Sequence, residues 1–200
     1  MKSLEEIYKP GFFSKRYKLK WRTPIICDRL QVFLGVKLSD IIIDLGCGTG
    51  DIIQQLELRG FDAKGIEGSL NAERYFETNN IIQHDLRKLI TDFNLYKAFD
   101  LVMSIEVAEH LEPEYAERFV ANIAFLARDK VLITAAPEDS KGHYHVNCQP
   151  PEYWIRLFQR YDLEYQEGLT NKFRGSFAAY RRKKGINTFY HNSLVFRNKI

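Results

Sequence analysis

Apolar residues along this chain follow two rhythms. Short, mostly apolar runs at residues 41–43, 98–105 and 130–137 read as strands covered on both faces. Between them, Ile26, Leu30, Phe33 and Leu34, and later Tyr115, Phe119, Val120, Ile123 and Leu126, recur at helical spacing. Thr23-Pro24 reads as a helix cap followed by proline at the first helical position, and Pro150-Pro151 opens another helix. Residues 51–59 predict a helix stopped by Gly60, and Ser69 caps a short helix reaching Phe76. Residues 63–66 and Ile81–Gln83 predict strands, and two more close the sheet around residues 163–167 and 188–196. Strands alternating with helices give an α/β, doubly wound, Rossmann-like sheet of seven strands with helices on both faces. Ligands of such a sheet bind beyond the carboxyl ends of its strands, where the winding reverses.

Composition changes this picture little. The chain has 200 residues, 45% of them hydrophobic and 28% charged, which suits a single domain over residues 1–200. Residues 1–22 form an N-terminal arm in which Lys15, Arg16, Lys18, Lys20 and Arg22 interleave with Tyr17 and Trp21. Such an arm is a lid, a basic face toward an anionic acceptor, or a solvated segment held by its aromatics. The net charge of +3 does not by itself argue for nucleic acid or an anionic membrane. No apolar run is long enough to span a bilayer and the start lacks a signal-peptide core, so a cytoplasmic protein without a membrane partner is expected. Cys27, Cys47 and Cys148 are scattered without metal-ligand spacing, which fits a reducing interior.

The most informative stretch is Ile-Ile-Ile-Asp-Leu-Gly-Cys-Gly-Thr-Gly at 41–50, a buried strand running into a glycine turn and then a helix. Such a turn brings backbone close to a ligand and aims helix amides at it. About twenty residues on, Glu67 ends the second strand, where an acid can accept both hydroxyls of a ribose. The dinucleotide pattern G-x-G-x-x-G fails because its sixth position is Asp51, and no Gly-Lys-Ser/Thr follows for a P-loop. The remaining pattern, D-x-G-x-G-x-G, resembles the first motif of class I S-adenosylmethionine-dependent methyltransferases. That resemblance implies S-adenosyl-L-methionine as cofactor and a last strand antiparallel to the rest. It places the methionine half against Asp44, Gly46, Cys47, Gly48 and Gly50, the ribose on Glu67 and the adenine near Asp85, with Ile105 also on the cofactor. A surface turn is the competing reading for Asp85.

Chemistry is concentrated in Glu106-Val-Ala-Glu109-His110, just after the fourth predicted strand. On one helical turn, positions i, i+3 and i+4 share a face, so the two carboxylates and the imidazole converge. His110 then acts as a general base oriented by Glu109, or Glu106, Glu109, His110 and His145 hold a divalent metal such as Mg, or the cluster ties the turn to a neighbouring loop. E-x-x-E-H followed by a distant histidine resembles methyltransferases of small-RNA 3′ ends and ubiquinone-pathway O-methyltransferases. His145, Asn147 and Gln149 alternate along an extended loop and either bind the acceptor or form a polar surface. Residues 106–120, 145–154 and 189–196 resemble a bacterial methyltransferase subgroup linked to glycan and secondary-metabolite pathways. The expectation is O-methylation of a small hydroxylated molecule. The alternatives are an RNA 2′-O-methyltransferase, with nucleic acid contacted through residues 15–22 and 181–184, and a non-catalytic cofactor-binding module.

Overall fold

The computed structural model describes residues 2–199, and the Tyr17 side chain lies outside what is described. Its strands are Ile41–Leu45 (β1), Asp62–Glu67 (β2), Ile81–Gln83 (β3), Phe99–Ile105 (β4), Ala127–Thr134 (β5), Leu163–Tyr165 (β6) and Ser193–Asn198 (β7). They form one sheet in the order β3-β2-β1-β4-β5-β7-β6. β1 pairs in parallel with β2 on one side and β4 on the other, so the winding reverses at the end of β1. β7 alone runs antiparallel, wedged between β5 and β6. The doubly wound, mostly parallel sheet is therefore as the pattern predicts.

Eight α-helices are found among the described residues: Leu4–Ile7 (α1), Pro10–Arg16 (α2), Thr23–Leu34 (α3), Asp51–Glu57 (α4), Ala116–Leu126 (α5), Pro151–Gln159 (α6), Glu167–Gly175 (α7) and Asn187–Asn192 (α8). Strand residues alternate between two cores. Ile42, Leu101, Met103, Leu132 and Val195 pack with α3, α4, Phe173 and Phe189 on one face. Ile43, Val102, Val131, Ile133 and Phe196 pack with α5 and α6 on the other, around Phe119, Trp154 and Phe158. None of the described helices is long and apolar enough to cross a membrane.

Several local expectations are corrected. Thr23 does not cap α3; it lies inside the first turn with φ −62°, its hydroxyl donating to the Lys20 carbonyl at 2.9 Å. The chain is already coiled there, because a 3₁₀ segment, Tyr17–Arg22, feeds directly into α3. The short helix after Ser69 is likewise 3₁₀, Leu70–Tyr75, with Ser69 capping through the Asn71 amide. β5 starts three residues earlier than its apolar run, since α5 ends at Leu126 and passes straight into the sheet. Residues 187–192 are helical rather than strand. Phe189 stacks on Phe177 with ring centroids 5.0 Å apart, and Ser193 Oγ closes the turn on the Phe189 carbonyl. Glu167 starts α7 instead of ending β6.

Candidate active site

The carboxyl ends of β1, β2 and β4 open onto one cavity. Gly46 and Gly48 form its floor in the left-handed backbone region, φ 75° and 62°, where glycine alone is unstrained. A Cβ on Gly46 would sit 2.5 Å from Val107 Cγ2. The turn is pinned by the Gly46 and Cys47 amides, which both donate to the Ile66 carbonyl. Glu67, at the end of β2, accepts from the Gly48 amide at 2.9 Å and from the Ser69 amide at 2.8 Å. Burial raises its pKa against those amides, which hold it down.

Beneath the loop, Asp44 is buried and its Oδ1 has no hydrogen-bond partner. Burial and then the Asp51 carboxylate push its carboxyl up, while Arg16 opposes them. A buried carboxylate oxygen without a partner is costly, which is why its carboxyl resists ionising.

The eight residues expected around the cofactor divide in two. Gly46, Gly48, Glu67 and Asp85 line the cavity. Cys47, Gly50, Ile105 and Asp44 do not. The Cys47 sulfur turns away beneath Gly65, where a Cβ would lie 2.5 Å from it, and Ile105 is core. Gly50 supplies the left-handed residue that starts α4, and its open side faces Ile81. Asp85 reaches the cavity already gripped by Arg87, whose Nε and Nη2 donate to both carboxylate oxygens at 2.8–3.1 Å.

The carboxylate–imidazole cluster forms by a different route from helical spacing. Glu106 has a left-handed backbone, φ 56°, and only Ala108–His110 makes a 3₁₀ turn. Glu109, His110 and His145 come together, with one ligand atom of each within 4.8 Å of the others. Glu106 lies outside this group; it lines the cavity and accepts a hydrogen bond from the Thr188 hydroxyl of α8. Glu109 is fully buried and neither oxygen has a well-formed hydrogen bond. Burial, reinforced by Glu106, raises its pKa to about 8. Burial, reinforced by His145, lowers that of His110 to about 4. Both shifts describe a pocket that charges poorly without a counterion.

The loop after β5 carries the third member of the cluster. His110 Nδ1 faces the Tyr144 carbonyl at 3.3 Å and His145 Nδ1 faces the Ser140 carbonyl at 3.2 Å. If each Nδ1 carries its proton toward that carbonyl, both Nε2 lone pairs are left open. The Glu109 carbonyl accepts from the Val146 and Asn147 amides, which fastens the loop to the cluster. Asn147 is buried, and Gln149 Nε2 donates to its Oδ1 at 3.1 Å. His145 and Asn147 thus face inward.

Of the three readings of the N-terminal arm, the structure favours the lid. α1 and α2 lie across the cavity, lining it with Leu4, Ile7, Tyr8, Phe12, Phe13 and Arg16. Tyr8 meets His110 edge-on with ring centroids 6.1 Å apart, and His143 Nε2 lies 2.7 Å from the Ile7 carbonyl. Residues 4–16 of the arm therefore line the site. Its signal was present in the aromatic spacing of Tyr8, Phe12 and Phe13, which resembles an ordinary packed arm until its partner is seen.

A family model for a methyltransferase domain matches residues 19–168, three quarters of the chain. The chain belongs to the class I, S-adenosylmethionine-dependent methyltransferase family. Among curated proteins, this methyltransferase-domain chain is 30% identical to the ubiquinone biosynthesis O-methyltransferase of Rickettsia bellii over 138 residues. That match covers 66% of this chain and 57% of the relative, so the chain spans less than two thirds of the curated protein. Two solved structures share the fold. Magnesium protoporphyrin IX methyltransferase from Synechocystis, with bound SAH, has a TM-score of 0.60 at 16% identity, covering 91% of this chain and 83% of that one. A SAM-dependent methyltransferase from Archaeoglobus fulgidus has a TM-score of 0.63 at 15% identity, covering 94% and 99%.

Proposed function

We propose that this chain moves a methyl group from S-adenosylmethionine to a hydroxyl oxygen of a small acceptor, such as a sugar or secondary metabolite, in the cytoplasm. Its residues fit the cofactor. The glycine floor admits backbone contact, Glu67 suits the ribose, and Asp85 stands where the adenine would end, while Asp44 lies beneath the loop and adds negative charge there without lining the cavity. When bound, the cofactor supplies a methyl group already activated on a sulfonium.

The observation that carries oxygen rather than nitrogen as acceptor is the convergence of Glu109 and His145 on His110, which itself lines the cavity. A hydroxyl must lose its proton on attack, and this is the group of side chains able to take it. His110, kept neutral by burial, offers Nε2 as the accepting atom, and Tyr144 holds the ring in place. Two imidazole nitrogens and one carboxylate also fit a divalent cation, and that donor set suits manganese, iron or zinc better than magnesium. Such an ion would polarise the acceptor hydroxyl. Asn147 and Gln149 are assigned to the acceptor side through their link to each other and to the Glu109 carbonyl.

The test is transfer of isotope-labelled methyl to a panel of sugars and phenols, with and without EDTA. His110→Ala is expected to lose about 10²–10⁴ in turnover while still binding S-adenosylhomocysteine. A label found on nitrogen, or full turnover by the variant, would contradict the proposal.

A further inference from the structure

The net charge of +3 conceals a strong segregation. Residues 7–27 hold six Lys and Arg and no acid, and residues 168–200 hold eight and no acid. The remainder carries 15 Lys and Arg against all 26 Asp and Glu. The fold joins the two acid-free segments. Arg22 Nη1 donates to the Gly185 carbonyl at 2.6 Å, Lys183 Nζ lies 3.8 Å from the centre of the Trp21 ring, and Gly185 leaves room for Leu19 where a Cβ would be 2.6 Å away. Lys15, Lys18, Arg181, Arg182, Lys183 and Lys184 are exposed, and none forms an ion pair with an acid among the described residues.

This face leads to the site from two directions. Arg16, between Lys15 and Lys18, is part of the cavity wall, and its buried Nε lacks a partner. Thr188, four residues beyond Lys184, hydrogen-bonds Glu106 at the same wall.

We infer that the acceptor is a hydroxylated small molecule carrying a phosphate or diphosphate, which this basic face holds while the hydroxyl reaches His110. The inference rests on the methyltransferase reading above and names the substrate class of that site. Paired arginines match phosphate oxygens bidentately, and neighbouring lysines add point charge. A long polyanion is disfavoured, because beyond this face it would meet a surface on which acids outnumber cations.

Trp21 supplies the readout. It is 37% exposed beneath Lys183, whereas Trp154, the other tryptophan, is buried, so phosphate capture that draws Lys183 off the ring changes Trp21 emission alone. The intact chain is titrated at low salt with inorganic pyrophosphate, UDP-glucose and a single-stranded RNA oligonucleotide, and separately with S-adenosylhomocysteine by calorimetry. Saturable emission changes are expected with pyrophosphate and UDP-glucose. In Arg181→Ala/Lys184→Ala, which retains the reporter pair, both should bind about ten- to a hundredfold more weakly, with cofactor-product affinity unchanged. Unchanged pyrophosphate affinity in that variant, or no response to either small probe, would overturn the inference. RNA binding far tighter than both, with a steep salt dependence, would overturn it in favour of a nucleic-acid surface. Loss of S-adenosylhomocysteine binding by the unmodified chain would instead remove the methyltransferase reading beneath it.

Discussion

Glu67 Oε2 accepts the Gly48 amide at 2.9 Å, which fastens the end of β2 to the turn that leaves β1. The same carboxylate holds the Ser69 amide, so it shapes the cavity floor as well as facing it. Glu67→Ala removes the acceptor from two amides in a buried setting. It should lower stability by about 2–4 kcal/mol and abolish measurable cofactor-product binding. Glu67→Gln keeps an acceptor oxygen and should recover most of the stability but little of the binding. Thermal unfolding beside calorimetry separates the two effects.

Gly46→Ala combines a left-handed backbone with a Cβ placed against Val107 Cγ2. The backbone penalty is about 1–2 kcal/mol, and crowding adds about 1–3 kcal/mol. Adding Val107→Ala should return only the crowding part. Denaturant midpoints of the single and double variants check this; full recovery in the double variant would show that backbone strain is unimportant there.

Stability of the metal-free protein should depend on pH through Glu109 and His110. Folded Glu109 keeps its proton to about pH 8 against 4.5 for an ordinary glutamate, so between these values the folded state binds more protons and stability falls as pH rises. Folded His110 titrates near 4 against 6.5, so there the unfolded state binds more protons and stability falls as pH drops. The two oppose each other below 6.5, leaving a net decline from 6.5 to 8. Glu109→Gln should therefore be more stable than the unmodified chain at pH 8, by about 1–3 kcal/mol, and not at pH 5. Manganese should raise the melting temperature of the unmodified chain and leave the variant unmoved.

The glycine turn was readable because everything it needs is local: an apolar strand, small residues where φ is positive, and an acid one strand later. The meeting of His145 with Glu109 and His110 was one of several readings of the sequence, and no local pattern could select it, since it depends on a loop folding back across some 35 residues onto the Glu109 carbonyl. Helical spacing misplaced Glu106 because its left-handed backbone breaks the turn on which that spacing relies. Residues 188–192 read as the start of a strand, yet stacking of Phe189 on Phe177 outweighs that local preference. The joining of the two basic segments spans more than 160 positions, and no local pattern announces it.

The roof should be held partly by His143, which bonds the Ile7 carbonyl and stands against Phe12 at a centroid distance of 5.4 Å. His143→Ala should speed amide exchange across α1 and α2 and weaken S-adenosylhomocysteine about fivefold, without altering exchange in β1 or β4. Exchange unchanged in α1 would remove His143 from this role.

The central claim is that the cavity over Gly46 and Gly48, edged by Glu67, is a nucleoside–amino acid site. Calorimetric titration of the purified chain with S-adenosylhomocysteine tests it most directly. One site of micromolar affinity is expected, eliminated in Gly46→Ala while the protein stays folded. Absence of heat at millimolar ligand, or binding undiminished in that variant, would contradict it.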